Sequence, residues 1–187
     1  LKETAPLEPT TIYGQGKKAC EEILRGYQSD DFTTIVTRSA SVCGYAPRMR
    51  LDLTINRMVH DAFRKSEISV EGGAQVRSHI HIKDLCAFYR LLLTHSSVAG
   101  QAFNVVAANQ SILESAQMVK NYFEDHISLN IGERVDDRSY AIDGSRVKVL
   151  GWTPHWAIEE AVDDVAIKFR SGYWKDSLTN PIYQNMT

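Results

Sequence analysis

The sequence lacks the features that mark membrane, secreted and nucleic-acid-binding proteins. Its 187 residues contain no apolar run of the length that spans a bilayer, which is about 18 residues. The opening residues 1–6 include no apolar segment of the kind found in signal peptides. An excess of one charge is also missing, because 21 basic and 23 acidic residues leave a formal net charge of −2. Since nucleic-acid binding needs clustered cations, we expect neither a nucleic acid nor a membrane as partner.

Cysteine is scarce and widely spaced. The three residues, Cys20, Cys43 and Cys86, form no Cys-x-x-Cys pair, and the six histidines form no His-x-x-x-His pattern. Distant cysteines in odd number do not build a disulfide framework, and a zinc site would need more closely spaced ligands. The sequence therefore predicts no metal site, and three reduced, mostly buried thiols in a cytoplasmic protein.

Regular spacing of apolar residues is what the sequence does contain. Apolar residues make up 43% of the chain, enough for a sizeable core. We predict helices over residues 11–27, 53–63, 84–93, 111–126 and 159–169, and strands over 32–37, 68–70, 79–82, 102–106 and near 129–131. Ser111 and Glu114 are predicted to form a capping box. Residues 138–150 are predicted to be polar at first and then helical. The last dozen residues are interpreted as a loop or tail. Strands separated by helices predict an α/β fold with a largely parallel sheet.

The sharpest local feature is Tyr13-Gly14-Gln15-Gly16-Lys17, near the start of the first predicted helix. Residues four positions apart share a helix face, so the Lys17 ammonium is expected close to the Tyr13 phenol. A nearby cation favours the ionised form of a phenol, which can then accept a proton from a substrate hydroxyl. The same spacing is common in exposed helices, so it indicates catalysis only together with other motifs.

A loose dinucleotide-binding fingerprint, Gly14-x-Gly16-x-x-Ala19, overlaps this pair. That fingerprint must follow a buried strand, but residues 6–11 contain two prolines and a glutamate. We therefore reject it as a phosphate-binding loop.

Six blocks of the chain, in order, resemble motifs of one enzyme family. The segment 3–21 is similar to the stretch that includes a catalytic Tyr-x-x-x-Lys helix, and 38–44 is similar to "R-x-x-N-V-Y-G-P". The segment 72–84 resembles "G-x-G-x-Q-x-R-x-F-I-H-V-x-D", and 103–105 resembles "F-N-V-G". The segments 137–146 and 150–154 are similar to "D-R-R-Y-A-I-D-x-S-K" and "L-G-W-x-P". In these blocks the chain resembles the extended short-chain dehydrogenase/reductase superfamily, specifically its nucleotide-sugar epimerases and dehydratases.

The resemblance implies a fold and a reaction. The chain would be the C-terminal part of an NAD(P)-binding Rossmann fold with an interleaved, smaller α/β substrate-binding lobe. Residues 1–46 would supply the catalytic helix and the following strand of the Rossmann domain. Residues 47–187 would form the substrate-binding lobe, with about 79–107 returning to the Rossmann sheet. The cofactor would be NAD or NADP, the substrate a nucleotide-diphosphate sugar that passes through a transient keto intermediate, and the assembly a homodimer.

The resemblance also implies site residues. Tyr13 would be the catalytic base, and Lys17 would favour its ionised form and hold the nicotinamide ribose. The expected cofactor contacts are Tyr13, Lys17, Ala40, Ser41 and Val42. The expected substrate contacts are Ser41, Asp52, Leu53, Arg77 and Arg138, with Arg134 as the alternative to Arg138. Both arginines are candidates for the diphosphate, which a guanidinium fork suits. His79, His81 and Asp84 are expected to serve structure, as part of a strand and as a helix cap.

The chain also departs from the family pattern. Gly16 stands where Ser or Thr is usual, Ser41 replaces Asn, and Cys43-Gly44-Tyr45 replaces Tyr-Gly-Pro. The glycine-rich first part of such enzymes has no counterpart, so we expect a fragment that is inactive alone. Three functions stay open at this point: a nucleotide-sugar epimerase or dehydratase, a reductase of a non-nucleotide alcohol or ketone, and a non-catalytic binding or structural piece that lacks the cofactor site.

Overall fold

The computed structural model describes residues 1–95, 98–134 and 138–184. Its helices and strands alternate along the chain. The helices are α1 (Ile12–Tyr27), α2 (Thr54–Lys65), α3 (Ile82–Leu92), α4 (Ile112–Phe123) and α5 (Ile158–Arg170). The strands are β1 (Val36–Ser39), β2 (Ser41–Cys43), β3 (Glu67–Glu71), β4 (Val76–His81), β5 (Ala102–Val105), β6 (Ala108–Ser111) and β7 (Ser128–Gly132). Among the described residues, no helix is both long enough and apolar enough to cross a bilayer.

Parallel pairing dominates the sheets, as predicted. Strand β1 pairs in parallel with β5, β2 with β4, and β3 with β7, whereas β6 runs antiparallel to β4. Ala40 separates β1 from β2, and its N–H donates to the Val105 carbonyl at 2.9 Å. One continuous stretch of chain therefore passes from the β1–β5 pair into the β2–β4–β6 sheet. The predicted α/β class is confirmed.

The buried apolar residues form two clusters. One lies between α3, β5 and the segment 147–152, where the Phe88 ring packs against the rings of Phe103 and Trp152 at centroid distances of 6.2 and 5.1 Å. The other packs α2, α4 and α5 together, with Val59 and Ala161 fully buried at its centre. The predicted division into residues 1–46 and 47–187, with about 79–107 returning to the first part, stays a prediction.

Strand β1 begins later than the predicted strand over 32–37. The Thr34 N–H donates to the Gln28 side-chain oxygen at 2.6 Å, and the Phe32 N–H donates to the Ser29 hydroxyl at 3.1 Å. These local bonds occupy the backbone donors that a strand would need, so regular pairing starts only at Val36.

Helix α3 begins at Ile82, and its cap is His81 rather than Asp84. The His81 Nδ1 accepts the Lys83 N–H at 3.1 Å, which satisfies one free donor of the first turn. The Asp84 carboxylate instead accepts the N–H groups of His155 and Trp156 at 2.9 and 3.0 Å. Asp84 therefore fixes the segment that leads into α5.

Two further expectations have opposite outcomes. The Ser111–Glu114 capping box is confirmed, because each side chain accepts the other residue's backbone N–H. The expectation of mostly buried thiols is wrong, since Cys20 and Cys86 are exposed and only Cys43 is buried. Cys20 lies on α1, a helix in which no residue is buried, and the helical spacing alone did not reveal this.

Candidate functional site

Tyr13 and Lys17 lie on the open surface of α1. The helix starts after Thr11, whose hydroxyl accepts the Gly14 N–H at 3.1 Å. Tyr13 is 74% exposed, and the Lys17 Nζ lies 5.4 Å from the centroid of its ring. The four-residue spacing therefore brings the phenol and the ammonium together, and nothing buries either group.

A partly buried ion pair attaches this exposed helix to the sheet. Arg38 on β1 donates through Nε and Nη2 to the Glu21 carboxylate at 2.9 and 2.7 Å, and through Nη1 to the Glu3 carbonyl at 3.0 Å. The Glu3 carboxylate accepts the Asn104 N–H from β5 at 2.8 Å. The pKa of Arg38 is raised, chiefly by its hydrogen bond to Glu21. Because Glu21 follows Lys17 by one helical turn, this bond fixes where the Tyr13–Lys17 pair lies relative to β1.

Ala40, Ser41 and Val42 lie where β1 passes into β2. Ala40 is buried, while Ser41 and Val42 are half-buried and pair with His79 and Ile80 of β4. These three residues are therefore held by backbone bonds on both sides of the strand junction.

The loop that follows β2 places Asp52 against Arg50. Arg50 Nε and Nη2 donate to the two Asp52 carboxylate oxygens, each at 2.6 Å. The pKa of Arg50 is raised, chiefly by the hydrogen bond to Asp52, and the Tyr13 phenol adds an electrostatic contribution. Leu53 precedes α2 as its N-cap residue, with no side-chain capping bond.

Arg77 and Arg138 meet in a second group of residues. Arg77 Nη1 donates to the Arg138 carbonyl and, at 3.0 Å, to the Val76 carbonyl. The Arg77 guanidinium also lies over the Tyr140 ring, 5.4 Å from its centroid. Arg134, the alternative to Arg138, donates its N–H to Glu71 at the end of β3, at 3.2 Å. Residue 137, the first of its block, lies outside the described residues.

A buried histidine lies behind the second group. His79 on β4 is fully buried, and neither ring nitrogen has a hydrogen-bond partner among the described residues. Burial, together with the nearby Arg77 charge, lowers the pKa of His79 to about 4. The imidazole is therefore neutral at physiological pH, which supports the structural role expected for it.

The contacts thus bring some of the predicted site residues together in pairs. Tyr13 and Lys17 meet on α1, Asp52 pairs with Arg50 in the loop after β2, and the Arg77 guanidinium meets the Arg138 carbonyl beside Tyr140. The first pair can move a proton at a phenol that lies beside an ammonium, and the Arg77 guanidinium is a candidate to bind an anion. Sequence reasoning assigned no role to Arg50 or to the Arg38–Glu21 pair. An Arg-x-Asp spacing within a loop was the only local signal for Arg50.

Comparison with known proteins identifies the family. Residues 1–106 match the NAD dependent epimerase/dehydratase family, and because this is more than half of the chain, the chain belongs to that family. The curated relative "Low-salt glycan biosynthesis protein Agl12" of Haloferax volcanii is 28% identical over 167 residues, which is 86% of this chain and 53% of the relative. The chain spans about half the length of the curated relatives it matches.

Solved structures share the fold. The dTDP-glucose 4,6-dehydratase of Bacillus anthracis, in complex with NAD, superposes with a TM-score of 0.79 at 23% identity, covering 95% of this chain and 58% of the dehydratase. The UDP-N-acetylglucosamine 4-epimerase of Methanobrevibacter ruminantium, in complex with UDP-N-acetylmuramic acid, superposes with a TM-score of 0.80 at 21% identity. The superposition covers 92% of this chain and 57% of the epimerase. The predicted fold, part of a Rossmann-type epimerase/dehydratase, is confirmed by these superpositions.

Proposed function

We propose that the full-length protein containing this chain converts a nucleotide-diphosphate sugar by NAD(P)-dependent epimerisation or dehydration through a transient keto intermediate. The observation that carries the proposal is the Tyr13–Lys17 pair, with the Lys17 Nζ 5.4 Å from the ring centroid. Family membership and the names of the similar proteins, a dehydratase with NAD and an epimerase with a UDP-sugar, support it.

The residues present suit the nicotinamide end of the cofactor. Tyr13 and Lys17 lie open on α1, where a ribose can reach both, and Ala40, Ser41 and Val42 would border the nicotinamide. Gly14 and Gly16 lie inside α1 rather than in a strand-to-helix turn, so this fingerprint does not hold the pyrophosphate. When bound, NAD(P) supplies a reversible hydride acceptor.

The chain's own residues would carry out proton transfer and substrate binding. Tyr13 takes the proton of the sugar hydroxyl that is oxidised, and the Lys17 ammonium stabilises the negative charge on the phenol oxygen. Arg77 and Arg138 hold the diphosphate, since a guanidinium makes paired, charge-assisted hydrogen bonds to phosphate oxygens. Ser41, Asp52 and Leu53 would contact the sugar nucleotide.

The test is a product analysis of the full-length protein with NAD or NADP and a panel of UDP- and dTDP-sugars. Loss of one water from the substrate would identify a dehydratase, and an isomer of unchanged mass would identify an epimerase. Turnover of simple alcohols or ketones, without any response to the nucleotide sugars, would favour a reductase instead. If no nucleotide sugar or ketone were bound or converted, the non-catalytic alternative would be correct.

We also propose that the protein is a homodimer that pairs through α1. None of the 16 residues of this helix is buried, and Ile12, Ile23 and Tyr27 on one face are 88%, 60% and 66% exposed. Gly16 lies between them, and a Cβ atom placed there would meet nothing within 4 Å, so a second helix can approach closely. An exposed apolar face of this kind is typical of an interface. The cytoplasmic location stays a prediction.

Sedimentation of the full-length protein tests the dimer. Ile23→Glu is expected to shift it towards the monomer, because a carboxylate would be buried at the contact. Leu93→Glu is the matched control, since Leu93 is 88% exposed at the end of α3. A monomeric unaltered protein, or equal effects of the two substitutions, would contradict pairing through α1.

A further inference from the structure

The segment 173–183 packs on the loop between β2 and α2, residues 44–53, which carries predicted substrate contacts. The Leu51 N–H, one residue before Asp52, donates to the Tyr183 carbonyl at 2.8 Å. Both the loop and the segment also contribute to the wall of a cavity of about 370 Å³, through Leu51, Asp52, Ser177 and Leu178. Residues that the sequence indicated as a loop or tail are therefore bound to the loop beside Asp52.

Aromatic contacts hold the start of the same loop. The Tyr45 ring lies edge-on to the Tyr173 ring at a centroid distance of 6.2 Å, and it is tilted against the Trp174 ring at 6.1 Å. The Lys168 ammonium lies 4.4 Å from the centroid of Tyr45 and 4.9 Å from that of Tyr173, so one cation contacts both the loop and the segment. The loop is therefore attached to the segment near both of its ends.

Trp174 anchors the segment to the core. Its ring lies 4.9 Å from the Phe169 ring, centroid to centroid, and its carbonyl accepts a hydrogen bond from Arg64 Nη2 at 2.7 Å. The same guanidinium donates through Nε to the buried Ser177 hydroxyl at 3.3 Å. The φ angle of Trp174 is +52°, which bulky residues rarely adopt, so the contacts around this residue outweigh the strain. Strained residues of this kind cluster at functional sites.

We propose that Trp174 is a positioning residue for substrate binding, because it anchors the segment that holds Asp52 and Leu53 in place for the nucleotide sugar. The inference rests on the proposed function above. A loop that is already held in its binding conformation loses less conformational entropy when the substrate binds, so the substrate binds more tightly. Trp174 acts through the loop and does not itself contact the substrate.

Calorimetric titration of the full-length protein with UDP- and dTDP-sugars tests this role. For the nucleotide sugar that the unaltered protein binds, Trp174→Ala is expected to raise the Kd about five- to hundredfold, the range for two side chains that must be ordered on binding. The value of kcat at saturating substrate should change less than about twofold, because Tyr13 and Lys17 are untouched. Trp174→Phe keeps a ring against Tyr45 and should bind within about threefold of the unaltered protein.

A double-mutant cycle separates an effect through the loop from a general loss of stability. In an Asp52→Ala background, Trp174→Ala should raise the Kd less than about threefold, because the side chain that it positions is gone. Tyr45→Ala removes the other side of the aromatic contact and leaves the anchor of the segment intact, so it should raise the Kd as Trp174→Ala does. Val119→Ala on α4, a buried change in the core cluster that Trp174 packs against, is the control for stability and should leave the Kd unchanged.

Hydrogen exchange shows whether the loop is released. The Leu51 amide should exchange faster in Trp174→Ala than in Val119→Ala, because only the first variant frees the segment that accepts its hydrogen bond. A Kd for Trp174→Ala within about twofold of the unaltered value, or the same rise in both backgrounds, would overturn the inference and leave the proposed function standing. If the unaltered protein bound no nucleotide sugar, the proposed function would fail, and this inference with it.

Discussion

The buried His79 should make folding stability depend on pH in a defined window. Burial lowers its pKa from 6.5 to about 4, so the folded state resists protonation while the unfolded state does not. Above pH of about 6.5 both states are neutral, and stability is unaffected. As the pH falls through this value, only the unfolded state takes up the proton, so stability is lost until about pH 4 is reached. The full difference in pKa corresponds to a loss of about 3 kcal/mol in the free energy of unfolding. About 2 kcal/mol of this is lost by pH 5.

Urea unfolding at pH 7.5 and pH 5, followed by tryptophan fluorescence, measures this loss. The matched variant is His79→Phe, because Phe is the residue of the similar family motif at this position and does not titrate. The other titrating groups contribute equally to both proteins. Subtracting the unfolding free energy of the variant from that of the unaltered chain therefore leaves the contribution of His79. This difference in unfolding free energy should fall by about 2 kcal/mol from pH 7.5 to pH 5. The corresponding change in the difference between the two Tm values is about 4–8 °C. A difference that stays constant within about 0.5 kcal/mol would refute the reasoning.

Two further predictions concern the thiols and the site loop. Cys20 and Cys86 should react with a thiol reagent in the folded protein, whereas Cys43, whose pKa burial raises to about 12, should react only after unfolding. Three equally fast thiols would contradict the burial of Cys43. Gly44→Ala should lower the unfolding free energy by about 1–3 kcal/mol, because φ is +97° and a Cβ would lie 3.1 Å from the His81 ring. Gly26→Ala, where a Cβ meets nothing, is the control for Gly44→Ala, and equal stability of the two variants would exclude strain at Gly44.

Much of the fold could be predicted because its helices carry regular apolar spacing and its main strands are β-branched or apolar. Strand β6 (Ala108–Ser111) was not predicted, since its sequence Ala-Asn-Gln-Ser has little β-propensity. It is a strand because its backbone pairs with β4, from Val76–Ser111 to His79–Ala108. A tertiary contact of this kind leaves no periodic signal in the segment itself.

Some features of the candidate site could likewise be predicted from the sequence, and others could not. The Tyr13–Lys17 pair could be predicted because a four-residue spacing on a helix fixes which side chains meet. The Arg50–Asp52 ion pair could not be predicted in this way, because the position of its loop depends on bonds to the Asn56 side chain and to the Tyr183 carbonyl. The cap at His81 was likewise hidden, since an imidazole is not among the usual N-cap side chains.

The most direct test of the account is the turnover of the full-length protein with Tyr13→Phe. The variant removes only the phenolic oxygen that is proposed to accept the proton of the sugar hydroxyl. We predict that kcat on the nucleotide sugar falls by about 10²- to 10⁴-fold, while the Kd of that sugar changes less than about twofold. A variant that keeps more than about a tenth of the original kcat would contradict the assignment of Tyr13 as the base.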